Sequence, residues 1–327
     1  MPGWGVITAV SIEGFRGILA GHLEGLTPLT VLTGPNSCGK STVLDALLIA
    51  GHPRTPAAIE RVVWRRPVAR GARWLIFRSG EGPARVAVKS RAGDERACTL
   101  MRWAPGVHFE VKSPGYANVS TVELGADNRR VGGLASDFGG LSDVPEVRLV
   151  EPREVVSSHP LHRIYSASTE AGRRDEVTML LRELLPGLDR VEILTDEVGA
   201  VLYLSYPDHS EPAGLAGDGV QSLLNLALEL GAARTGVMLV VEPEVHQHQK
   251  ALELSAKAIV AAVKRRIQVV VSTQSLELVD ALLAALDEDE VDALSLFRLR
   301  LEGGELQNIR LDGQMVRLAR AEKSDLR

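Results

Sequence analysis

The chain has 327 residues, 45% of them apolar and 24% charged, with a formal net charge of −5, which is ordinary material for one large core or two smaller ones. No run approaches the roughly 18 uncharged apolar residues of a membrane helix, and Met1-Pro2-Gly3-Trp4-Gly5 lacks the basic-then-apolar order of a signal peptide, so a cytoplasmic location is expected. Cys38 and Cys98 are the only cysteines, too few for a disulfide framework. In chain order, Val6 to Ile12 reads as a strand, Gly14-Phe15-Arg16-Gly17 as a turn and Leu29 to Thr33 as a second strand. Thr42 to Ala50 reads as a buried helix that stops at Gly51-His52-Pro53. Between 52 and 130 the runs Trp74–Phe77, Arg85–Lys89, Val107–Lys112 and Thr121–Leu124 are β-like and separated by Gly, Pro and Asp, which predicts an antiparallel sheet. Residues 131–160 give no assignment. Thr169 to Leu185 reads as one helix, and Val191–Leu194 with Val201–Tyr206 as a hairpin. From Gly219 onward, helices at 220–230, 251–265 and 276–286 alternate with the apolar strands 237–241 and 267–271. That alternation predicts a buried, largely parallel sheet.

Gly34-Pro35-Asn36-Ser37-Cys38-Gly39-Lys40-Ser41 matches G-x-x-x-x-G-K-[ST] at every fixed position. Placed between a strand and a helix, such a loop aims backbone N–H groups and a helix N-terminus at one point, where a phosphate chain binds. Lys40 is expected to reach the terminal phosphates of a nucleoside triphosphate, and Ser41 to ligate Mg²⁺. Cys38, inside the loop, is read as a tolerated small residue.

Two later strand ends carry further polar chemistry. Val237–Val241 runs into Glu242-Pro243-Glu244, and an acid placed there can accept a proton from an attacking water. Val269-Val270-Val271 runs into Ser272-Thr273-Gln274-Ser275. Before the first of these, Gly217-Asp218-Gly219 leads into a helix and forms a second candidate anion-binding N-terminus.

With these motifs in place, the chain resembles the ABC-class ATPases of the SMC-like branch, near the ATPase domains of the OLD (overcoming lysogenization defect) family and related stand-alone ATPases. The resemblance is carried by Ile12–Gly17 as the F-R turn, by Gly34 to Thr42 as G-P-N-x-x-G-K-S-T, and by Leu215 to Leu224 as a G-D-G variant of the signature. Glu242-Pro243-Glu244-Val245-His246-Gln247-His248 resembles the D-E-P-E-x-H-L-H segment, and Ser272-Thr273-Gln274-Ser275 resembles the T-T-H-S switch. It covers roughly residues 5–50 and 212–300 and touches the middle only weakly. It implies an α/β P-loop fold: a mostly parallel core sheet, an antiparallel β lobe and a helical signature lobe. Residues 1–327 would form a single ABC-type domain with 52–213 as an inserted segment. It further implies that two copies sandwich two ATP molecules, with Gly217, Asp218 and Gly219 of one copy touching phosphate held by the other. Glu242 would be the base, with Gln274 and Lys40 completing the catalytic set, and Phe15-Arg16 would lie near the nucleotide. His246 and His248 are read as part of the family turn, not as a metal pair.

The sequence also departs from the family. Val241 stands where relatives carry the acid that helps hold Mg²⁺, and Gln274 replaces the switch histidine. The Q-loop glutamine is missing, and Gly217 stands where a signature serine is usual. Phosphoryl transfer depends mainly on positioning and electrostatics, so the four departures together point to slow turnover. The alternative is a nucleotide-gated dimerisation scaffold. A transporter subunit fits less well, because the Q-loop glutamine and the L-S-G-G-Q signature are absent.

Charge is uneven. Residues 1–150 hold 18 Lys+Arg against 13 Asp+Glu, and the remainder 19 against 29, so a polyanion is expected on the N-terminal half. Arg54, Arg61, Arg65, Arg66, Arg70, Arg73 and Arg78 lie in one segment with a single acid, Glu60, interleaved with Trp64, Trp74 and Phe77. Arginine binds phosphate in a planar fork and aromatics stack on bases; Arg61, Arg65, Arg66, Arg70 and Arg73 are the DNA-contact candidates, equally readable as a solvated face. About 25 residues follow the last β-like run, so no appended nuclease domain is expected, and if DNA is cut, a separate effector chain would do it.

Overall fold

A computed structural model describes residues 7–66, 68–104, 106–113, 116–132, 146–152, 160–195, 197 and 199–327. The elements are β1 (Ile7–Phe15), β2 (Ile18–Glu24), β3 (Leu29–Thr33), α1 (Lys40–Gly51), α2 (Thr55–Trp64), β4 (Ala84–Ser90), β5 (Glu95–Trp103), β6 (Gly106–Ser113), β7 (Tyr116–Leu124), β8 (Arg130–Gly132) and β9 (Val147–Val150). Then follow α3 (Leu161–Glu170), α4 (Arg174–Leu184), β10 (Arg190–Thr195), β11 (Ala200–Ser205), β12 (Ser210–Pro212), α5 (Asp218–Ala232), β13 (Val237–Val241), α6 (Gln249–Lys264), β14 (Gln268–Ser272), α7 (Leu276–Ala285), β15 (Leu294–Glu302), β16 (Glu305–Asp312) and α8 (Gly313–Ala321).

Among the described residues the main sheet has 13 strands, in the order β8-β7-β6-β5-β4-β1-β2-β16-β15-β3-β14-β13-β9. From β8 to β2 it is antiparallel, and β15, β3, β14, β13 and β9 run parallel. The expected antiparallel lobe and parallel core are therefore two halves of one mixed sheet. β3, β13 and β14 are buried at every residue, because helices cover both of their faces. On one face α1 packs with Leu32, Val241 and Val270 in a single apolar cluster. On the other, α6 and α7 pack with Val31, Val240 and Val271. A third cluster joins α3, α4 and α5 to the small β10-β11-β12 sheet and forms the helical lobe.

Several local expectations are corrected. Trp74–Phe77 is not a strand: Gly71–Leu75 and Phe77–Ser79 are 3-10 turns, with Arg70 ahead of the first and Arg78 within the second at positive φ. Only Ile76 makes a β-bridge, to Phe15. Residues 169–185 do not form one helix; α3 ends near Glu170 and α4 begins at Arg174, with Gly172 at φ 76° between them. α2 and β5 were not anticipated, although α2 buries Thr55, Pro56, Ala58, Ile59, Val62 and Val63 on one face. Of residues 131–160, those numbered 133–145 and 153–159 lie outside the described residues.

Candidate functional site

The site is assembled where parallel strands end. Ser272 pairs with Leu32 of β3 on one side and with Val241 of β13 on the other, so the three strands finish level. The pairing runs one residue further: Thr273 N–H donates to Leu32 O (3.0 Å) and Glu242 N–H to Ser272 O (2.8 Å). The loop after β3, Gln274 after β14 and Glu242 after β13 thus emerge at one edge, with neighbouring strands about 5 Å apart.

The loop from Gly34 has the conformation its glycines predict. Gly34 has φ 134°, and a Cβ there would sit 2.5 Å from Leu299 O and 2.7 Å from Cys38 Sγ, so only glycine fits. Lys40 opens α1 and is almost wholly buried. Its ammonium donates to Gly34 O (2.8 Å) and Pro35 O (3.1 Å) and lies 3.9 Å from Cys38 Sγ. The loop's own carbonyls hold the cation where it can exchange to a phosphate oxygen. The Ser41 and Thr42 hydroxyls form no hydrogen bond among the described residues, which leaves Ser41 able to meet a metal. Donor N–H groups, a cation and a free hydroxyl at a helix N-terminus fit a Mg²⁺–triphosphate.

Glu242 has φ 39°. A non-glycine residue in that region ahead of a proline is strained by about 1–3 kcal/mol. The pairing with Ser272 and a hydrogen bond from Val245 N–H to Glu242 O (3.1 Å) hold it there. Gln274 Nε2 donates to Glu242 Oε1 (3.1 Å). Val241 sits on the α1 face, packed in the cluster that contains Val43, Leu44 and Leu47. Its side chain offers no oxygen to a metal. Beside it on that face, Ser272 Oγ is buried without a partner among the described residues.

Gly217 precedes α5 and Asp218 is in its first turn. Gly219 packs against the turn after Glu242; a Cβ there would meet His246 O at 2.8 Å. Gln221 Nε2 donates to Gly214 O (3.0 Å) and Ala216 O (2.6 Å) and fixes the approach to the helix. Leu215, just before it, is 76% exposed.

Phe15 and Arg16 both point inward. Phe15 is fully buried, so its ring offers no face to a nucleotide. Arg16 Nε lies 3.1 Å from Asp45 Oδ2, and Nη2 donates to Val62 O (2.9 Å). Asp45, on α1, was not anticipated. Its side chain has no exposed surface, and it also meets Arg65 Nη1 (2.7 Å) and Arg66 Nη2 (3.5 Å). Arg65 continues to Glu151, which also takes Arg61 Nη2 at 3.2 Å. Burial, the largest influence, pulls the Arg16 guanidinium below its ordinary range; Asp45 opposes this, while Arg66 and Arg65 reinforce it. For Arg65 burial is again the largest single influence, but two carboxylates outweigh it and the group is raised. The arginine segment is therefore divided: Arg61, Arg65 and Arg66 turn to internal carboxylates, whereas Arg70 and Arg73 stay exposed. Arg73 stacks over Trp74 at 4.9 Å.

No metal-binding group of three or more His, Cys, Asp or Glu is found among the described residues, His246 and His248 included. Nor, among them, is any helix long and apolar enough to cross a membrane.

The family model AAA_23, an AAA domain, matches residues 9–57. An uncharacterized protein of Methanocaldococcus jannaschii is 30% identical over 85 residues, which are 26% of this chain and 75% of that protein. Two solved structures share the fold. One is an Smc head bound to the C-winged helix domain of ScpA, with TM-score 0.61 and 14% identity, covering 94% of this chain and 98% of that one. The other is an Smc head domain with an extended coiled coil bound to the C-terminal domain of ScpA, derived from Pyrococcus furiosus. It has TM-score 0.58 and 13% identity, covering 97% and 99%.

Proposed function

We propose that the chain is an ABC-class P-loop ATPase of the SMC-like branch, supported by the AAA domain match over residues 9–57 and by the fold it shares with two Smc heads, and that it binds ATP with Mg²⁺ and hydrolyses it slowly. The observation that carries this reading is the level ending of β3, β14 and β13. It brings the Lys40 loop, Gln274 and Glu242 to one edge of the sheet. In the proposed cycle the 34–42 loop cradles the phosphates through its N–H groups, and Lys40 exchanges its loop carbonyls for phosphate oxygen. Glu242 accepts the proton of the attacking water while Gln274 fixes the carboxylate's orientation. Ser41 would hold Mg²⁺, which would neutralise the phosphate charge.

We further propose that ATP joins two copies of the chain. Gly217, Asp218 and Gly219 present the start of α5 to phosphate held by the second copy, and the exposed Leu215 beside them supports a buried contact there. A role in DNA maintenance or defence is proposed, with Arg70, Arg73 and Trp74 as the surface for the polyanion. A separate effector chain is proposed as well, since both Smc heads named above are bound to ScpA.

A second reading, a nucleotide-gated scaffold, is favoured by one observation: Val241 completes the apolar cluster under α1 and gives the metal nothing. Phosphate release with Mg²⁺ separates the two. The hydrolytic reading expects slow release by the wild type that drops at least about 100-fold in Glu242→Gln, with ATP still bound. ATP-induced dimers without phosphate release would establish the scaffold instead.

A further inference from the structure

The turn after β13 carries a second carboxylate, Glu244, and its surroundings differ from those of Glu242. Glu244 Oε1 accepts two hydrogen bonds from the segment between β14 and α7: Thr273 Oγ1 at 2.6 Å and Gln274 N–H at 2.9 Å. Thr273 Oγ1 in turn accepts from Ser275 N–H (2.9 Å), and Ser275 Oγ caps α7 by accepting from Leu278 N–H (3.0 Å). The residue whose amide Glu244 holds, Gln274, is the one whose side chain donates to Glu242 Oε1. A continuous path therefore runs from Glu244 through the Gln274 backbone and side chain to the base.

Glu244 has no direct route to the reacting atoms. It lines the groove between α6 and α7, with Gln247, Leu252 and Ser275. Val241 and α1 lie on the opposite face of the sheet. Its second oxygen, Oε2, is buried with no partner among the described residues. Burial raises the carboxyl above the ordinary range, against the pull of the Thr273 and Gln274 hydrogen bonds. A half-paired buried carboxyl is costly for folding, and an apolar side chain would fill the site at lower cost. The turn is also braced from the other side, where Gln247 bridges Ser222 on α5 (3.4 Å) and Ser255 on α6 (2.8 Å). The turn itself is thus held, and Glu244 transmits that rigidity to the Thr273–Ser275 segment.

We propose that Glu244 is a positioning residue: it pins Thr273–Ser275 so that the Gln274 amide holds Glu242 in its proton-accepting orientation. The catalytic part of this proposal rests on the hydrolytic reading above; the pinning does not.

The test uses the full-length chain as wild type, Glu244→Ala, Glu244→Gln and Thr273→Val. It combines hydrogen exchange of peptides covering 270–280, measured without nucleotide, with steady-state ATP turnover. Loss of Glu244 is expected to speed exchange at Gln274 at least about tenfold. It should lower kcat about 10- to 100-fold with the KM for ATP within about twofold. Glu244→Gln keeps an oxygen acceptor for both donors and restores slow exchange and most of kcat. Thr273→Val, which leaves the Gln274 N–H bond, falls between and stands in if Glu244→Ala does not fold. Unchanged exchange in Glu244→Ala and in Thr273→Val overturns the pinning, whatever the turnover. Faster exchange with unchanged kcat overturns the catalytic role. A wild type that releases no phosphate overturns the hydrolytic reading and the catalytic role together, and the exchange result still decides the pinning.

Discussion

Replacing Asp45 by alanine tests the internal ion network most directly. The Asp45 carboxylate has no exposed surface and meets three guanidinium groups, at 2.7 Å (Arg65), 3.1 Å (Arg16) and 3.5 Å (Arg66). The three contributions are unequal. Arg66 is 43% exposed at the side chain, so its pair is worth well under about 1 kcal/mol. Arg65 is 6% exposed and keeps Glu151 when Asp45 is gone. Arg16 is 13% exposed and, among the described residues, keeps the Val62 carbonyl and the Phe15 ring at 5.8 Å but no carboxylate. The variant therefore strands one buried cation and half-strands another. Breaking a buried pair from one side costs about 3–5 kcal/mol, and the partners that remain place the expectation near 3–4 kcal/mol. For a chain this long that is a fall of roughly 4–6 °C in melting temperature. Denaturant unfolding of Asp45→Ala, with Arg66→Ala as the control expected to lose less than about 1 kcal/mol, measures it. A loss below about 1 kcal/mol in Asp45→Ala would refute the network as a structural element. Its arginines would then be free for another use.

Three further outcomes are expected. Burial, aided by Arg54, lowers the His52 pKa from 6.5 to about 4; the folded imidazole stays neutral while the unfolded chain takes up a proton below about pH 6.5. Wild-type stability should therefore fall as pH drops from about 6.5 to 4, by up to about 3 kcal/mol more than in His52→Asn; parallel pH profiles of the two proteins would contradict this. Leu215→Asp should abolish ATP-induced dimers in light scattering while leaving nucleotide affinity within about twofold, and dimers of undiminished stability would remove Leu215 from the interface. Arg70→Glu with Arg73→Glu should weaken DNA binding and reduce its log–log salt slope by about 2, whereas Arg65→Glu should act by unfolding the chain; equal effects on binding from well-folded variants would show that the segment is not divided.

The features visible in the sequence are those fixed by local geometry. The 34–41 loop is legible because its glycines, lysine and serine each answer a backbone or ligand requirement at a set spacing. β13 and β14 are legible because strands covered on both faces carry unbroken apolar runs. The misreadings arise where a distant partner decides. Arg65 looks like a phosphate-seeking arginine until Asp45, 20 residues away, and Glu151, 86 residues away, enclose it. Glu244 was visible as part of a motif, but its role depends on Thr273, 29 residues on. Trp74–Phe77 has strand composition, yet the turn from Arg16 takes up its hydrogen bonds: Arg16 N–H donates to Leu75 O, and Arg78 N–H to Arg16 O. α2 did carry a signal. Its buried Thr55, Ala58, Ile59, Val62 and Val63 follow helical spacing, which the dense arginines obscured.

Val241 shows why binding and hydrolysis need not stand together in this site. The Lys40 loop depends on Gly34, Gly39 and the start of α1, none of which needs an acid at position 241. Val241 and Leu32 flank Ser272 in the row beneath α1. A carboxylate in place of Val241 would face Val43, Leu44 and Leu47 and cost several kcal/mol unless a cation paired it. The valine makes the ligand-free fold stable without metal and leaves Ser41 as the side chain assigned to hold it. Val241→Asp should then lower the melting temperature without Mg²⁺ and recover part of the loss when Mg²⁺ and ATP are added together, read by thermal denaturation at fixed ATP with and without the metal. A variant equally destabilised under both conditions would mean that position 241 does not face the metal. The two faces of the sheet would then have to be reassigned.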